Sequence, residues 1–419
     1  MDDKIVLHSD LNYFYAAVEC LVNPKIRKMP VAVCGDPEAR HGIVLTKNPI
    51  AKKFGVTTGQ AIWQAKQLCP ALIVVKPNYD LYLEFSKRVR EIYYDYTDII
   101  ESFGIDECWL DCSGSTLLHG NGEEIAHKIR RQIYKELGIT VSIGVSFNKI
   151  FSKLGSDYKK PDAVTVFNRG NYRERVWPMP VSELLYVGRA TNAKFKKWGI
   201  KTIGDLAAYD TKLLYNNIGV IGIMLQRFAN GADHSPVTHN SVESVIKSIG
   251  NSSTMPRDLI SDEDVWAAFT MLSESVASRL RDHGFRCRTV QISIRDKDLI
   301  SCERQGKLPV PSCLSTEITA QAMRIFKEKY VMSRPLRSIG VRACDLVTMD
   351  TAMQLSLLWD HRKQEKLEIF ERTVDEIRKR FGHYSIQKAS LMLDPDLTGH
   401  NPKENIIHPY ALFTDKLPI

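Results

Sequence analysis

The chain has 419 residues, of which 44% are hydrophobic and 25% are charged, and its formal net charge is +8. This length predicts two to four domains, because a single compact core rarely grows so large. The composition is not that of a membrane-spanning protein, since the longest apolar runs, such as residues 72–75, are too short to cross a bilayer. The start, Met1-Asp2-Asp3-Lys4, lacks the basic and apolar regions of a secretory signal.

The charge and the cysteines narrow the class of protein further. A net charge of +8 permits a polyanionic partner but does not require one. The nine cysteines include no C-x-x-C pair, and the nearest two are Cys108 and Cys112. This spacing predicts reduced thiols without structural zinc or a disulfide framework, and hence a cytoplasmic protein.

Strand-like and helix-like segments alternate over the first 168 residues. Residues 4–9 predict a strand that ends at Asp10, and residues 13–21 predict a helix that Asn23-Pro24 closes. Further strands are predicted at 31–33, 43–45, 101–111 with a break near Gly104, and 140–145. Further helices are predicted at 50–54, 60–68, 79–96, 123–137 and 149–158. This order is typical of a ferredoxin-like α+β sheet with a small subdomain inserted after its first helix.

The chain changes character after residue 169. Residues 170–240 predict a helical region rich in Lys, Arg and Gly, and residues 241–247 predict a linker. Strands then return, because apolar residues at 290, 292 and 294 alternate with polar ones, and helices near 263–283 and 316–328 complete a second α+β domain. Beyond residue 350, a leucine-rich pentapeptide precedes a charged helix. The apolar residues of that helix share one face: Leu367, Phe370, Val374, Ile377 and Phe381.

Three acidic residues are predicted to meet at one end of the first sheet. Asp10 follows the first strand, the Asp106-Glu107 pair lies in the third, and these strands are neighbours in a ferredoxin-like sheet. Converging carboxylates repel each other unless cations bind, and oxygen ligands suit hard divalent ions such as Mg²⁺. Adjacent strand residues point to opposite faces, so both members of the pair serve one site only at a bend, which Gly104 allows. The simpler alternative is that Asp10 caps the helix and the pair starts a strand.

Three sequence motifs resemble those of a known family. Residues 9–19, SDLNYFYAAVE, place an aromatic wall suited to a nucleotide beside Asp10 and closely resemble the first motif of Y-family DNA polymerases, the translesion class. Residues 104–111, GIDECWLD, resemble the second motif. Residues 141–163, VSIGVSFNKIFSKLGSDYKKPDA, resemble the stretch that follows it. The correspondence runs in order from about residue 4 to residue 346 and is closest to the bacterial DNA polymerase IV branch.

The resemblance implies an α+β multidomain chain with the right-hand polymerase architecture. The palm would be ferredoxin-like, the fingers a small insertion, and the thumb helical with a helix-hairpin-helix. The implied domains are a palm (1–20 and 76–168), fingers (21–75), a thumb (169–240), the linker (241–247), an α+β little finger (248–348) and a C-terminal tail (349–419).

In this family the acidic residues hold two Mg²⁺ ions, which serve the transfer of a deoxynucleotide to a primer 3′-hydroxyl. Matched to this chain, the catalytic carboxylates and metal ligands are Asp10, Asp106 and Glu107, with the backbone carbonyl of Leu11 as a further ligand. Asp111, just beyond, is expected to be a structural residue at a strand end. The family also implies low fidelity, and no proofreading is expected because no 3′–5′ exonuclease domain is recognisable.

The resemblance also implies which residues bind the nucleotide. Tyr15 occupies the position of the steric gate against ribonucleotides, whereas Phe14 beside it could equally be a core aromatic. Lys160 in KKPDA matches a residue that binds the triphosphate, and so does Thr46 in the fingers motif LTKNPIAKKFGV.

Three positions depart from the family pattern near the nucleotide. Lys52 stands where the family has Arg, so a point charge replaces a bidentate fork. Pro49 stands where a Tyr is frequent, and Gly104 where a Ser is usual. None of these departures removes a metal ligand, but the grip on the triphosphate is expected to differ.

The implied DNA contacts fall in two regions. Residues 185–200, LYVGRATNAKFKKWGI, resemble a helix-hairpin-helix whose glycine turn brings backbone N–H groups to a phosphate; Gly188 fits, and Ala190 replaces the usual second glycine. The segments IKSIG (246–250) and LRSIGVRA (336–343) resemble strands of the little finger. The phosphate contacts expected there are Lys247, Ser248, Arg295, Arg337 and Arg342.

The pentapeptide at 354–358 resembles the one that docks into the bacterial sliding clamp. Gln354, Leu355, Leu357 and Leu358 would make that contact, although a leucine-rich helix start is an alternative. The implied partners are primer–template DNA, deoxynucleoside triphosphates and the clamp. The chain is expected to be a monomer, cytoplasmic and associated with the nucleoid, with no membrane contact.

Three other functions remain open at this point. A catalytically inactive clamp-binding scaffold of the same family would lack the metal carboxylates, yet Asp10, Asp106 and Glu107 are all present. A nucleotidyl cyclase has a similar palm but would not need a helix-hairpin-helix and a little finger. A plain DNA-binding repair module would leave the aromatic wall and Lys160 without a purpose.

Overall fold

The computed structural model describes residues 4–36, 42–239, 245–351, 360–399 and 401, and the chain divides into two units near residue 243. The first unit contains residues 4–35 and 43–239, and the second contains the described residues from 245 onward. Residues 241–244 of the predicted linker and the pentapeptide at 354–358 lie outside the described residues. Among the described residues, no helix combines the length and apolar character needed to cross a membrane.

The described part of the first unit contains eight strands and twelve α-helices. The strands are β1 (Val6–Leu11), β2 (Val31–Cys34), β3 (Val44–Lys47), β4 (Ile73–Val75), β5 (Ile100–Ser102), β6 (Glu107–Asp111), β7 (Val141–Ser146) and β8 (Val164–Phe167). The helices are α1 (Phe14–Val22), α2 (Pro49–Lys53), α3 (Ile62–Leu68), α4 (Tyr79–Tyr94), α5 (Thr116–His119), α6 (Gly122–Leu137), α7 (Lys149–Tyr158), α8 (Tyr172–Arg175), α9 (Arg189–Lys197), α10 (Ile203–Ala208), α11 (Thr211–Ile218) and α12 (Val220–Ala229). Short 3₁₀ turns lie at Pro24–Ile26, Ser113–Ser115 and Val181–Glu183.

The larger sheet has the strand order β5-β6-β1-β7-β8, so the first strand is central. β1 pairs antiparallel with β6 on one side and with β7 on the other. The expected neighbourhood of β1 and the Asp106-Glu107 strand is therefore confirmed. The sequence-based order of strands and helices holds, but β1 extends through Asp10 to Leu11, and strand β4 was not predicted.

The central strand buries three consecutive polar residues, and each has a partner. The ring Nδ1 of His8 lies 2.8 Å from the hydroxyl of Ser156, and Ser9 accepts a hydrogen bond from Tyr93 at 2.7 Å. Asp10 meets two lysines, as described below. Buried polar groups need such partners, because an unpaired one retains the full cost of losing water.

The predicted break near Gly104 is a tight turn between β5 and β6. Gly104 has φ +106°, a conformation that side-chain-bearing residues rarely adopt. The turn places Asp106 just before β6 and Glu107 at its first residue. Asp106 thus lies in the bend and Glu107 in the strand, so the alternation of strand side chains does not apply across this pair.

Helix α7 lies unusually close to β7. A Cβ on Gly144 would overlap the backbone oxygen of Ser152, and a Cβ on Gly155 would come within 2.9 Å of the Gly144 Cα. Asn148 caps the helix by accepting from the backbone N–H of Phe151 at 2.8 Å. These contacts fix which side chains of α7 reach the end of β1.

The insertion forms its own three-stranded sheet of order β3-β2-β4, with helices α2 and α3. Asn48 caps α2 by accepting from Ala51 N–H at 2.9 Å, and Pro49 occupies the first turn. Proline is well suited there, since its missing N–H would have had no helical partner. The departure at Pro49 is thus compatible with the local backbone.

Helices α8 to α12 share a core with α7. That core contains Phe147, Phe151 and Leu154 together with Phe195, Leu206 and Leu225 of the later helices. Gly188 is the N-cap of α9 with an ordinary φ of −76°, so its backbone conformation does not itself require glycine. The glycines with positive φ between residues 170 and 239 are Gly199, Gly219 and Gly231, at φ +78°, +67° and +68°.

The second unit is a sheet with two helices packed on one face. Its elements are β9 (Ser248–Leu259), α13 (Asp262–Asp282), β10 (Phe285–Asp296), β11 (Ser301–Ser312), α14 (Ser315–Lys329), β12 (Leu336–Thr348), α15 (His361–Phe381) and α16 (Pro395–Thr398), with 3₁₀ turns at His383–Ser385 and Ala389–Met392. The strand order is β11-β10-β12-β9. The predicted alternation is confirmed, because Val290, Ile292 and Ile294 are buried in the core with α13 and α14.

Helix α15 packs against the second unit through its charged face. Arg281 of α13 contacts Glu371 and lies 2.7 Å from Asp375, and Arg286 of β10 lies 2.8 Å from Glu368. Of the apolar residues predicted to share one face, Phe370 and Phe381 are 60% and 69% exposed, whereas Leu367, Val374 and Ile377 are half-buried. The fully buried positions of the helix include acidic residues because the surface that receives it carries Arg281 and Arg286.

The close approach of α7 to β7 predicts a specific sensitivity. Gly144→Ala should lower the free energy of unfolding by about 1–3 kcal/mol, because the added methyl group has no space against Ser152. The measurement is urea or thermal unfolding. Gly114→Ala is the matched control, since a Cβ there meets nothing within 4 Å. Equal stability of the two variants would contradict the packing described.

Candidate active site

The end of the central strand brings the predicted carboxylates together. Asp10 and Glu107 are direct cross-strand partners, and the backbone N–H of Leu11 donates to the Asp106 carbonyl at 3.0 Å. The Asp10 side chain is 7% exposed, so it lies almost entirely out of water. The structure thus places all three predicted acidic residues at one edge of β1 and β6.

Two lysines from α7 and the segment after it neutralise this acidic edge. Lys153 Nζ lies 3.1 Å from Asp10 Oδ2 and 2.8 Å from Glu107 Oε2. Lys160 Nζ lies 2.6 Å from Asp10 Oδ2. Both ammonium groups also contact Asp157, at 3.3 and 2.7 Å. The site is therefore a compact network of alternating charges.

Burial and mutual repulsion alter the proton affinities of the carboxylates. Burial raises the pKa of Asp106 to about 6, and the negative charges of Asp10 and Glu107 add to the effect. Burial also raises the pKa of Asp10, although Lys153 and Lys160 oppose it. For Asp157 the lysines outweigh burial and hold its pKa below the usual value. Asp106 is thus the carboxylate with the least compensation.

An aromatic stack lies beside the carboxylates. The Tyr15 ring is parallel to that of Tyr82, with centroids 4.3 Å apart and planes 8° apart, and the Tyr79 ring contacts both edge-on. The Tyr82 hydroxyl donates to Glu19 at 2.6 Å. Burial raises the pKa of Tyr15, and the charge of Asp106 adds to the rise, so this hydroxyl lies near the acidic edge.

The other residues predicted to bind the nucleotide differ in their burial and contacts. Phe14 is 2% exposed and packs against Tyr15 and Tyr82, which leaves its ring almost no free surface for a ligand. Thr46 of β3 pairs with Val33 of β2, and Lys52 is exposed on α2. Burial lowers the pKa of the neighbouring Lys47, and the positive charge of Lys52 contributes to this shift.

The chain is similar to known DNA polymerases along most of its length. Residues 9–157 match the impB/mucB/samB family, and residues 246–357 match the C-terminal domain of that family. A DNA polymerase IV of Acetivibrio thermocellus is 52% identical over 94% of this chain and 99% of its own length. DNA polymerase IV 1 of Bacillus subtilis is 35% identical over 93% of each chain. A solved Y-family DNA polymerase chimera, Dbh-Dpo4(243-245)-Dbh, aligns with a TM-score of 0.72 and 25% identity over 82% of this chain and 99% of the chimera.

The chain belongs to the Y family of DNA polymerases. It is accordingly a DNA-directed DNA polymerase of the translesion class with the right-hand architecture. The recognition made from the motifs is confirmed by these matches. Y-family polymerases use divalent metal ions.

The acidic edge of this Y-family polymerase fits such an ion in its chemistry. The donors are carboxylate oxygens, which hard divalent cations prefer. Glu107 Oε2 is buried and finds no hydrogen-bond partner of good geometry among the described residues, although Lys153 Nζ is close. As the side chains stand, no three His, Cys, Asp or Glu groups in the described part of the chain converge to form a metal site. The ammonium of Lys153 contacts both Asp10 and Glu107.

The predicted DNA-binding residues of this polymerase are mostly exposed. Gly188 and Ala190 lie at the exposed start of α9. Ser248, Arg295 and Arg342 belong to the sheet face opposite the helices of the second unit, since Arg342 pairs with Gly250 and Gln291 while the neighbouring Val341 is buried. Lys247 is exposed just before β9, and Arg337 is half-buried where the β10–β12 register shifts.

Sequence reasoning missed several polar residues of the site. His8 is fully buried, with Nε2 3.3 Å from Glu107 Oε2, and burial lowers its pKa well below the usual value. Lys153 and Asp157 were part of a matched motif but received no role. The available signal was their i, i+4 spacing, which places opposite charges on one face of α7. Asp111, by contrast, is structural as expected, because it accepts hydrogen bonds from Ser113.

The raised pKa of Asp106 predicts a pH-dependent stability. A folded-state pKa of about 6, against 3.8 normally, means that the folded chain binds this proton more tightly than the unfolded chain. The stability contributed by the group is therefore lost as the pH rises through that interval. In buffer without divalent ions, Asp106→Asn should raise the melting temperature at pH about 7, and the gain should shrink toward pH about 4. A gain that does not vary with pH would show that the Asp106 pKa is ordinary.

Proposed function

We propose that this polymerase extends a primer on damaged templates with two Mg²⁺ ions held by Asp10, Asp106, Glu107 and the Leu11 carbonyl. The observation that supports this most directly is the pairing of Asp10 with Glu107 at the end of β1, with Asp106 adjacent. When bound, the ions would activate the primer hydroxyl and stabilise the leaving pyrophosphate. Low fidelity without proofreading belongs to the same proposal.

The protein's own side chains would bind and orient the triphosphate. Lys160 is 33% exposed beside Asp10, so its ammonium can reach a phosphate oxygen without leaving the site. Thr46, Lys47 and Lys52 of the insertion would supply further donors. Because Lys52 is an exposed lysine rather than an arginine, it would offer charge without a fixed bidentate geometry.

Tyr15 is proposed to exclude ribonucleotides by contact with the sugar. Its ring is held flat against Tyr82, and Tyr82 is anchored by Glu19, so the wall has little freedom to retreat. A rigid wall discriminates better than a mobile one, since an added 2′-hydroxyl cannot be accommodated by a small rotation. Phe14 would support this wall from the core, while a direct nucleotide contact for it stays a prediction.

The DNA would be bound through its backbone. The exposed start of α9 at Gly188 and Ala190 would present N–H groups to one phosphate, and Lys247, Ser248, Arg295, Arg337 and Arg342 would contact others. Binding of this kind is salt-dependent and almost independent of sequence. The domain limits given above, clamp docking through Gln354, Leu355, Leu357 and Leu358, a monomeric state and a cytoplasmic, nucleoid-associated location remain part of this proposal.

A catalytically inactive scaffold of the same family is the second candidate. It would bind primer–template without extending it. The intact acidic edge argues against an inactive scaffold, because buried carboxylates lower stability and such a scaffold would have no catalytic use for them. A cyclase or a plain DNA-binding module is not favoured by the family matches across both units.

Primer extension tests the proposed metal ligands. Glu107→Ala and Asp106→Ala should each reduce nucleotide addition by about 10³-fold or more, because a metal ligand contributes several kcal/mol to the transition state. Binding of primer–template, measured by fluorescence anisotropy, should change little. Glu123→Ala, which removes an exposed carboxylate on α6, is the matched control and should retain full activity. Extension by both acidic-edge variants at the parental rate would refute the assignment.

Sugar selectivity tests the role of Tyr15. Tyr15→Ala should increase ribonucleotide incorporation relative to deoxynucleotide incorporation by roughly 10- to 100-fold, because the wall against the 2′-hydroxyl is removed. The measurement is kcat/KM for matched ribo- and deoxynucleotides. Tyr94→Ala removes an exposed ring at the far end of α4 and should leave the ratio unchanged. An unchanged ratio in Tyr15→Ala would reject the gate.

A further inference from the structure

Lys153 has an unusual position for a lysine on a helix. Its side chain is 13% exposed, and its single ammonium group lies within 3.3 Å of three carboxylates. Two of these belong to Asp10 and Glu107 at the acidic edge, and the third belongs to Asp157 on the next turn of α7. An exposed helical lysine normally gains little from such contacts, whereas a buried one is held firmly by them.

The position of α7 in the fold determines where the Lys153 ammonium lies. The Gly144–Gly155 contact holds α7 against β7, the strand next to β1. Asn148 fixes the first turn of the helix, and Ser156 of the same helix contacts His8 on β1. Lys153 therefore projects onto the end of β1 from a helix whose position is set independently of the carboxylates.

We infer that Lys153 competes with divalent cations for the same oxygens of Asp10 and Glu107, and is thereby a positioning residue that sets the metal affinity of the site. This inference rests on the proposed metal ligands. If Asp10 and Glu107 hold a divalent cation, that cation would compete with the ammonium for Asp10 Oδ2 and Glu107 Oε2, the oxygens that Lys153 now contacts. Two positive groups cannot both contact these oxygens closely, because like charges so near each other repel strongly.

Asp157 is the group that makes the exchange possible. It lies one helical turn from Lys153 and already contacts it, so the ammonium can leave Asp10 and Glu107 without becoming unpaired. Lys160 shares the same two acceptors, Asp10 and Asp157, and would follow the same route. The network thus holds the carboxylates together before a cation enters and releases them when it does.

Direct binding of Mn²⁺, followed by the electron paramagnetic resonance signal of the free ion, tests this inference without relying on activity. The protein is the full chain, without DNA or nucleotide. Lys153→Met should bind Mn²⁺ roughly tenfold or more tightly than the parent, because the competing charge is gone. Asp157→Asn should bind more weakly, because Lys153 loses its alternative partner. Lys153→Arg should resemble the parent, since it restores a cation.

Two controls separate this effect from general charge and from misfolding. Lys149→Met removes a positive charge from the same helix, but Lys149 pairs with Glu101 instead of the acidic edge, so its Mn²⁺ affinity should match the parent. Thermal unfolding with and without Mn²⁺ provides the folding control, and Mn²⁺ should stabilise Lys153→Met more than the parent. If Lys153→Met does not fold, Lys153→Gln replaces it as the variant expected to bind Mn²⁺ more tightly, and Asp157→Asn remains the variant expected to bind it more weakly.

The outcomes distinguish the inference from the function on which it rests. Equal or weaker Mn²⁺ binding by Lys153→Met, with binding lost in Asp10→Asn, would overturn the competition while leaving the metal site in place. Unchanged Mn²⁺ binding in Asp10→Asn would overturn the metal assignment and the inference together. Opposite shifts in Lys153→Met and Asp157→Asn, with Lys149→Met unaffected, would support the competition, because a merely structural lysine would not produce them.

Discussion

The structure of the first unit depends on one electrostatic requirement: a carboxylate in the central strand of a sheet must have a counter-charge. Asp10 is buried between β6 and β7, where an unpaired charge would be too costly to retain. Lys153 and Lys160 supply the counter-charge, and both depend on the placement of α7. The glycines at the β7–α7 contact are therefore part of the active site in an energetic sense, although they touch no substrate. The later helices extend the same arrangement, since they share a core with Phe151 of α7 and with Phe147 just before it.

Much of this unit was predictable from the sequence. The order of its elements follows from hydrophobic periodicity and from caps such as Asn121, which forms a capping box with Glu124 at the start of α6. The acidic edge was predictable too, because adjacent carboxylates next to a glycine indicate a bend. Strand β4 was not, since its three residues, Ile73–Val75, are all apolar and show no alternation. The role of Lys153 was hidden for a different reason: helical lysines are usually solvated, and only the close approach of α7 to the sheet reveals the contact.

The second unit shows what periodicity leaves open. The sequence predicts that the apolar residues of α15 share one face, but the fully buried positions are Gln364, Glu368 and Asp375, with Leu367, Val374 and Ile377 half-buried. The charged surface of α13 and β10 determines this choice, because Arg281 and Arg286 require acidic partners once the helix covers them. Hydrophobic periodicity predicts the buried face of a helix only when the receiving surface is apolar. Nothing within α15 reports the charge of that surface, so the orientation could not have been derived from the helix alone.

The departures from the family pattern are consistent with the local backbone. Gly104 replaces a usual serine at a position with φ +106°, where a side chain would be strained. The turn that it permits is held from α4 by Arg90, a buried guanidinium that donates to Ser102 at 3.1 Å and to the Gly104 carbonyl at 3.3 Å. A buried arginine with several acceptors fixes a turn more firmly than one serine hydroxyl would, since its planar group spans both sides of it. Asp106 and Glu107 are thus held by three elements, β1 by pairing, α4 by Arg90 and α7 by Lys153, and a change at Gly104 alone leaves the other two in place.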